Sequence, residues 1–77
     1  MSFAPEYEIY GTMTCGYTVK MINHMKEIGK TYKFIDVSKE PHTYKYVLDQ
    51  YKQKHVGVPF VVHTPTNTFF VGFKPLK

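Results

Sequence analysis

The sequence predicts an α/β fold, a mixed four-stranded sheet in the order β-α-β-α-β-β with helices on its faces. Three observations carry this expectation. Two segments with helical periodicity each follow a short run biased toward aromatic and β-branched residues. Two further runs of that kind are separated only by Thr64-Pro65-Thr66-Asn67, which is turn chemistry. A strand–helix–strand unit implies a parallel pair with a right-handed crossover, and a closing hairpin adds antiparallel strands.

Glu6-Tyr7-Glu8-Ile9-Tyr10 reads as the first strand, and Gly11-Thr12-Met13-Thr14 as the loop after it. A helix follows, from Cys15 or Gly16 to Ile28. At about 100° per residue, Met21, Ile22, Met25 and Ile28 share one face, and Lys20, Asn23, His24 and Glu27 the other. Gly29 sits where a C-terminal capping glycine belongs. Thr31 to Val37 is the second strand. Ser38 is expected to cap the second helix, with Pro41 in its first turn. Tyr44, Val47, Leu48 and Tyr51 supply its apolar stripe, and the helix is expected to end near Lys54. Val58 to His63 is the third strand, with Pro59 at its start, and Thr68 to Val71 the fourth, ended by Gly72.

The chain has 77 residues, so residues 1–77 are read as a single domain. A core this small is marginal, and thirteen aromatic residues (seven Tyr, six Phe) help to fill it. The net charge of +4 is spread along the chain from Lys20 to Lys77 without a dense block, and reads as a solvated surface rather than a nucleic-acid footprint. The first residues lack a charged region followed by an apolar one, so no signal peptide is expected. No apolar run approaches the ~18 residues of a membrane span. His24, His42, His55 and His63 lack the paired spacing of a zinc site. A single cysteine argues against a disulfide-stapled secreted module and for a reducing compartment, the cytoplasm.

That cysteine, Cys15, is the candidate reactive group. A lone cysteine is most often an inert, buried small hydrophobe. The position of Cys15 after a strand and at the start of a helix argues otherwise. Unpaired amides and the helix dipole there favour a thiolate, which lowers the pKa of the thiol and makes the sulfur both nucleophile and leaving group. Gly16 removes bulk beside the sulfur, and Thr14 and Thr18 offer hydroxyl donors. A cis Val58–Pro59 bond is an option at modest cost, and would leave the Val58 backbone open to an extended peptide.

These residues form a pattern. Ile9-Tyr10-Gly11-Thr12-Met13-Thr14-Cys15-Gly16-Tyr17-Thr18 resembles the active-site segment of glutaredoxins, where a strand leads to Cys-X-Tyr-Cys or, in the monothiol class, Cys-Gly-Phe-Ser. Phe34-Ile35-Asp36-Val37-Ser38-Lys39-Glu40-Pro41 resembles the family's second strand and turn, Val58-Pro59 its cis-proline site, and Val71-Gly72-Phe73-Lys74-Pro75-Leu76 the Gly-Gly-Phe-Asp-X-Leu run seen in some members. The resemblance implies a thioredoxin-like fold with the C-terminal helix truncated or absent. It also implies a glutathione-dependent thiol–disulfide oxidoreductase with Cys15 as nucleophile. Thr12, Tyr17, Val58, Pro59, Gly72 and Phe73 match positions lining the family's glutathione groove, and Gly16 and Thr18 complete the site beside the sulfur. Thr18 stands where dithiol members have a resolving cysteine, which implies a monothiol mechanism. Thr12 and Met13 stand where dithiol members have a lysine, and Lys74 where the family has an acidic residue that meets the amine of glutathione.

The implied partners are glutathione and disulfide-bearing proteins, with ribonucleotide reductase a candidate by analogy with relatives, and neither nucleic acid nor membrane. The chain is expected to be a monomer that dimerises weakly at most. Two other readings compete. Cys-Gly-Tyr-Thr is close in character to the motif of members that bridge a [2Fe–2S] cluster between two chains, for which Cys15 would be the sole ligand from each. The other is a non-catalytic docking module in which the thiol is incidental. Lys52, Lys54 and His55 form a small basic patch that suits a carboxylate of glutathione or an acidic substrate surface, or simply a solvated helix end.

Overall fold

The computed structural model describes residues 5–53, 57 and 59–75. Their elements run β1 (Tyr7–Gly11), α1 (Gly16–Glu27), β2 (Tyr32–Asp36), α2 (Pro41–Gln50), β3 (Phe60–His63) and β4 (Thr68–Val71). One sheet results, with strand order β2-β1-β3-β4. β1 pairs parallel with β2, from Tyr7 opposite Tyr32 to Gly11 opposite Asp36. It pairs antiparallel with β3, Tyr10 opposite Phe60, and β3 pairs antiparallel with β4, Phe60 opposite Val71. This is the mixed sheet with two helices that the sequence predicts. The described residues after β4, 72–75, contain no helix.

Alternation along the two inner strands divides the core between the two faces of the sheet. On one face, Tyr7 and Ile9 of β1 and Val61 of β3 pack with Met21, Ile22 and Met25 of α1. On the other, Tyr10, Phe60 and Val62 pack with Tyr44, Val47 and Leu48 of α2. The second face is strongly aromatic: Phe60 stacks on Phe69 with centroids 5.1 Å apart, and Tyr51 meets both rings edge-on. Such pairs contribute about 0.5–1.5 kcal/mol each beyond area burial.

Both helices end in the same motif. After α1, Lys30 N–H bonds the Met25 carbonyl (3.0 Å) and Gly29 N–H that of Lys26 (3.3 Å), with Gly29 at φ 70°. After α2, Gln53 N–H bonds the Leu48 carbonyl (2.8 Å) and Lys52 N–H that of Asp49 (3.1 Å), with Lys52 at φ 56°. This is the Schellman arrangement, which asks for a left-handed residue just past the helix. Gly29 signals it in the sequence. Lys52 does not, so α2 stops at Gln50, short of the expected end near Lys54. Lys54 itself lies outside the described residues.

The start of α2 also differs from expectation. Glu40, not Ser38, is the N-cap residue, with Pro41 in the first turn as expected. Ser38 closes the preceding turn instead: its N–H and hydroxyl both donate to Asp36 Oδ1, at 2.9 and 2.6 Å. The aspartate ending β2 captures the serine before it reaches the helix, a local competition that Asp commonly wins in turns. β3 begins at Phe60, just after Pro59 rather than with it, and Val58 lies outside the described residues.

Replacing Lys52 by Gly removes the cost of holding a side chain in the left-handed region, which is roughly 1–2 kcal/mol. The expected outcome is a stabilisation of about 1 kcal/mol by urea unfolding, with an unchanged slope. A lower midpoint for the glycine variant would contradict the cap assignment.

Candidate active site

The parallel strands β1 and β2 end at the same edge of the sheet where antiparallel β3 begins and β4 ends. Gly11, Pro59 and Gly72 therefore fall in one row, next to the pairs of Tyr10 with Phe60 and Phe60 with Val71. Gly72 N–H donates to the Pro59 carbonyl (2.8 Å), tying the two segments at this edge, and Val37 N–H donates to the Gly11 carbonyl (3.0 Å). Crevices at the carboxyl ends of parallel strands are where open α/β sheets bind ligands.

Cys15 lies at this edge. A turn brings the chain from β1 to it: Cys15 N–H bonds the Thr12 carbonyl (3.0 Å), and the Thr14 hydroxyl donates to Thr12 Oγ1 (3.2 Å). Cys15 is the N-cap of α1, extended at φ −90° and ψ 118°, and its carbonyl accepts the first helical bond from Val19 N–H (3.2 Å). Its side chain is half-exposed and not in a disulfide. The Thr18 amide, then the Thr18 hydroxyl, and further the Tyr17 amide hold the thiol below its ordinary pKa, against a smaller opposing effect of desolvation. An N-cap side chain ordinarily accepts from the second or third helical amide, and an ionised sulfur fits that role.

Thr18 is completely buried on the inner face of α1. Its Oγ1 has no hydrogen-bond partner among the described residues, yet the hydroxyl favours the ionised form of the sulfur.

The other candidate residues fall as follows. Tyr17 stands out into solvent, 62% exposed, and Met13 across the turn is 56% exposed, so two large apolar side chains flank the loop that carries the sulfur. A Cβ on Gly16 would meet nothing within 4 Å among the described residues. Thr12 is half-exposed in the turn, Pro59 is fully buried, and Gly72 takes the positive φ of 90° at the end of β4. Val58, with the bond joining it to Pro59, lies outside the described residues. Phe73 turns toward α1, with Lys20 Nζ 4.7 Å from its centroid and the His24 ring edge-on at 5.8 Å. These residues and the remaining polar stripe of α1, Asn23 and Glu27, line an open cleft of about 270 Å³. Lys74 Nζ lies 5.7 Å over Phe70. Of the basic patch, Lys52 is exposed and Lys54 and His55 are outside the described residues.

A sequence model of the Glutaredoxin family matches residues 7–63, a span from β1 through Cys15 and Pro59 to the end of β3. The chain belongs to the glutaredoxin family. In structure it is similar to the glutaredoxin grx-1 from Archaeoglobus fulgidus, with a TM-score of 0.71 and 20% sequence identity over 91% of this chain and 77% of that one. At that identity the likeness speaks for the fold. No curated protein sequence matches the chain. Thiol–disulfide oxidoreduction is the general activity of glutaredoxins, and Cys15 is the one sulfur nucleophile this glutaredoxin holds. A [2Fe–2S] cluster takes four ligands, of which Cys15 would offer one, so a cluster here would have to be bridged by a second chain with glutathione thiols completing the set; among the described residues no group of three or more His, Cys, Asp or Glu could hold a metal ion. Among the described residues no helix is long and apolar enough to cross a membrane.

Gly11 was legible only as part of a loop. It is the last residue of β1, and its missing side chain faces Thr18. Nothing local distinguishes such a glycine from one in a turn.

Alkylation of Cys15 followed against pH is expected to show a midpoint below the ~8.5 of an ordinary cysteine. Because the folded-state pKa is the lower one, ionisation stabilises the fold. That contribution is complete above about 8.5 and is lost as the pH falls through the folded midpoint. A midpoint of 8.5 or higher would remove the case for an activated sulfur.

Proposed function

We propose that this glutaredoxin reduces glutathione mixed disulfides, and through them protein disulfides, by a monothiol mechanism with glutathione as co-substrate. The observation that carries the reading is the position of Cys15, half-exposed at the N-cap of α1 with its thiol pKa lowered by Thr18 and Tyr17. In the first step the Cys15 thiolate attacks the glutathionyl sulfur of a protein–glutathione disulfide. The bond between protein sulfur and glutathione sulfur breaks, the Cys15–glutathione bond forms, and the departing protein thiolate takes a proton from solvent. In the second step a glutathione thiolate attacks the glutathionyl sulfur on Cys15. Oxidised glutathione leaves, and the electron pair returns to Cys15. The lowered thiol pKa serves both steps, because the same sulfur attacks in the first and departs in the second.

The chain has one cysteine, so a second thiol must come from outside to resolve the intermediate. Thr18 holds the position of a resolving cysteine without being able to form a disulfide. On this reading Thr12, Gly16, Tyr17, Val58, Pro59, Gly72 and Phe73 line the groove for glutathione, with the open space at Gly16 giving the approach to the sulfur. Disulfide-bearing proteins as a class are the second substrate, and the reducing cytoplasm, with its glutathione pool, is the compartment that would drive the cycle.

The test is reduction of a glutathionylated peptide by glutathione, coupled to glutathione reductase and NADPH. The wild-type chain is expected to turn over with ping-pong kinetics, and Cys15→Ser to fall to the uncatalysed rate. Wild-type activity no greater than that of the serine variant would refute the proposal.

A further inference from the structure

We propose that Gly11 is a positioning residue for the Cys15 sulfur and acts through Thr18: the absent side chain at the end of β1 is the slot that seats the Thr18 hydroxyl beside that sulfur. The inference rests on the reading of Cys15 as the reacting group and adds a residue from outside the groove.

The chain has five glycines. A Cβ built on Gly16, Gly29, Gly57 or Gly72 would meet nothing within 4 Å among the described residues. At Gly11 it would overlap Thr18 Oγ1 and lie 2.8 Å from Thr18 Cγ2 and 3.2 Å from Cβ. Both branches of the threonine press on the glycine, so rotation about χ1 only exchanges one clash for another. Nor can the backbone of Gly11 retreat, because it is held in the parallel ladder opposite Asp36 and its carbonyl accepts Val37 N–H at 3.0 Å. The helix is fixed as well, since Met21, Ile22 and Met25 on the same face as Thr18 are buried under the sheet. Any side chain at position 11 would therefore lift the first turn of α1, which is the turn that faces the sulfur.

The second observation is the hydroxyl itself. Thr18 is completely buried and its Oγ1 has no hydrogen-bond partner among the described residues. Buried hydroxyls are almost always bonded, so one that is not asks for an acceptor. Cys15, three residues earlier on the opening turn, supplies one on ionisation. A valine in place of the threonine would fill the same slot with no donor. The glycine, the packed threonine and its unfilled donor thus form one device, which Gly11 keeps in register.

The experiment reads the pH midpoint of Cys15 alkylation, with thiolate ultraviolet absorbance as a second measure, and thermal unfolding for each variant. Thr18→Val keeps the packing and removes the donor, and is expected to raise the midpoint by roughly half a unit or more. Thr18→Ser keeps the donor and is expected to stay near wild type. Gly11→Ala is expected to raise the midpoint as Thr18→Val does and to lower the unfolding temperature. In a Thr18→Ala background, Gly11→Ala is expected to add no further rise and little further loss of stability, because the two positions act as one. A wild-type midpoint in Thr18→Val, or a folded Gly11→Ala with a wild-type midpoint, overturns the proposal. So does a Gly11→Ala shift of equal size with and without the threonine side chain. Should Gly11→Ala alone fail to fold, recovery of folding in the Gly11→Ala/Thr18→Ala pair upholds the seat, and failure of that pair to fold overturns it. These midpoints report the acidity of the sulfur directly. Loss of the oxidoreductase reading would instead show as absent turnover in the wild-type chain.

Discussion

The first turn of α1 meets the end of β1 through a contact that leaves room for no side chain on the strand, and the chemistry of Cys15 depends on how closely that contact is made. Thr18 occupies the slot above Gly11, at the helix position whose amide faces the N-cap residue. Depth of seating thus sets how the amides of Tyr17 and Thr18 and the Thr18 hydroxyl stand toward the sulfur. A hydroxyl buried without an acceptor costs about 1–3 kcal/mol. Such a cost is tolerable where an ionised sulfur offers the acceptor, and places of this kind are where functional sites keep unfavourable features.

The rest of the sheet keeps that contact from yielding. β1 is paired on both sides, and its two faces feed two separate clusters, one under each helix. On the α2 face Tyr10 and Phe60 are buried, with Tyr51 and Phe69 packed against them, and the Tyr10 hydroxyl bonds the Glu8 carboxylate at 3.0 Å. Burial first, and then that carboxylate, push the Tyr10 pKa upward, so this face carries a neutral phenol through the physiological range. At the far end of the sheet, His63 Nε2 lies 3.0 Å from Glu6 and Nδ1 2.6 Å from Thr66, while Thr64 bonds the Pro5 and Glu6 carbonyls. The hairpin turn is thereby fastened to the chain entering β1. The hydrogen bonding at this end holds strands together, whereas at the Cys15 end two amides and a hydroxyl favour the ionised form of a thiol.

Most of the architecture could be read from side-chain period and turn residues. The stripe of Met21, Ile22 and Met25 marked α1, Gly29 marked its end, and Thr64 to Asn67 marked the hairpin, because each of these signals is local. Signals failed where neighbours compete. Ser38 is a good cap residue, but Asp36 lies two residues before it and takes both its donors. Lys52 adopts a left-handed conformation that its side chain does not favour, because the closing hydrogen bonds of α2 require it.

The amino-acid sequence by itself determined the order of elements, the single thiol and its place between a strand and a helix, since period, turn chemistry and cysteine count are properties of short stretches. Tertiary structure decided which side chain lies against Gly11, that Thr18 is sealed from water with an unfilled donor, and that Phe73 folds onto α1 beside Lys20 and His24. Those facts are distances between segments brought together by the sheet, and no periodicity along the chain encodes them.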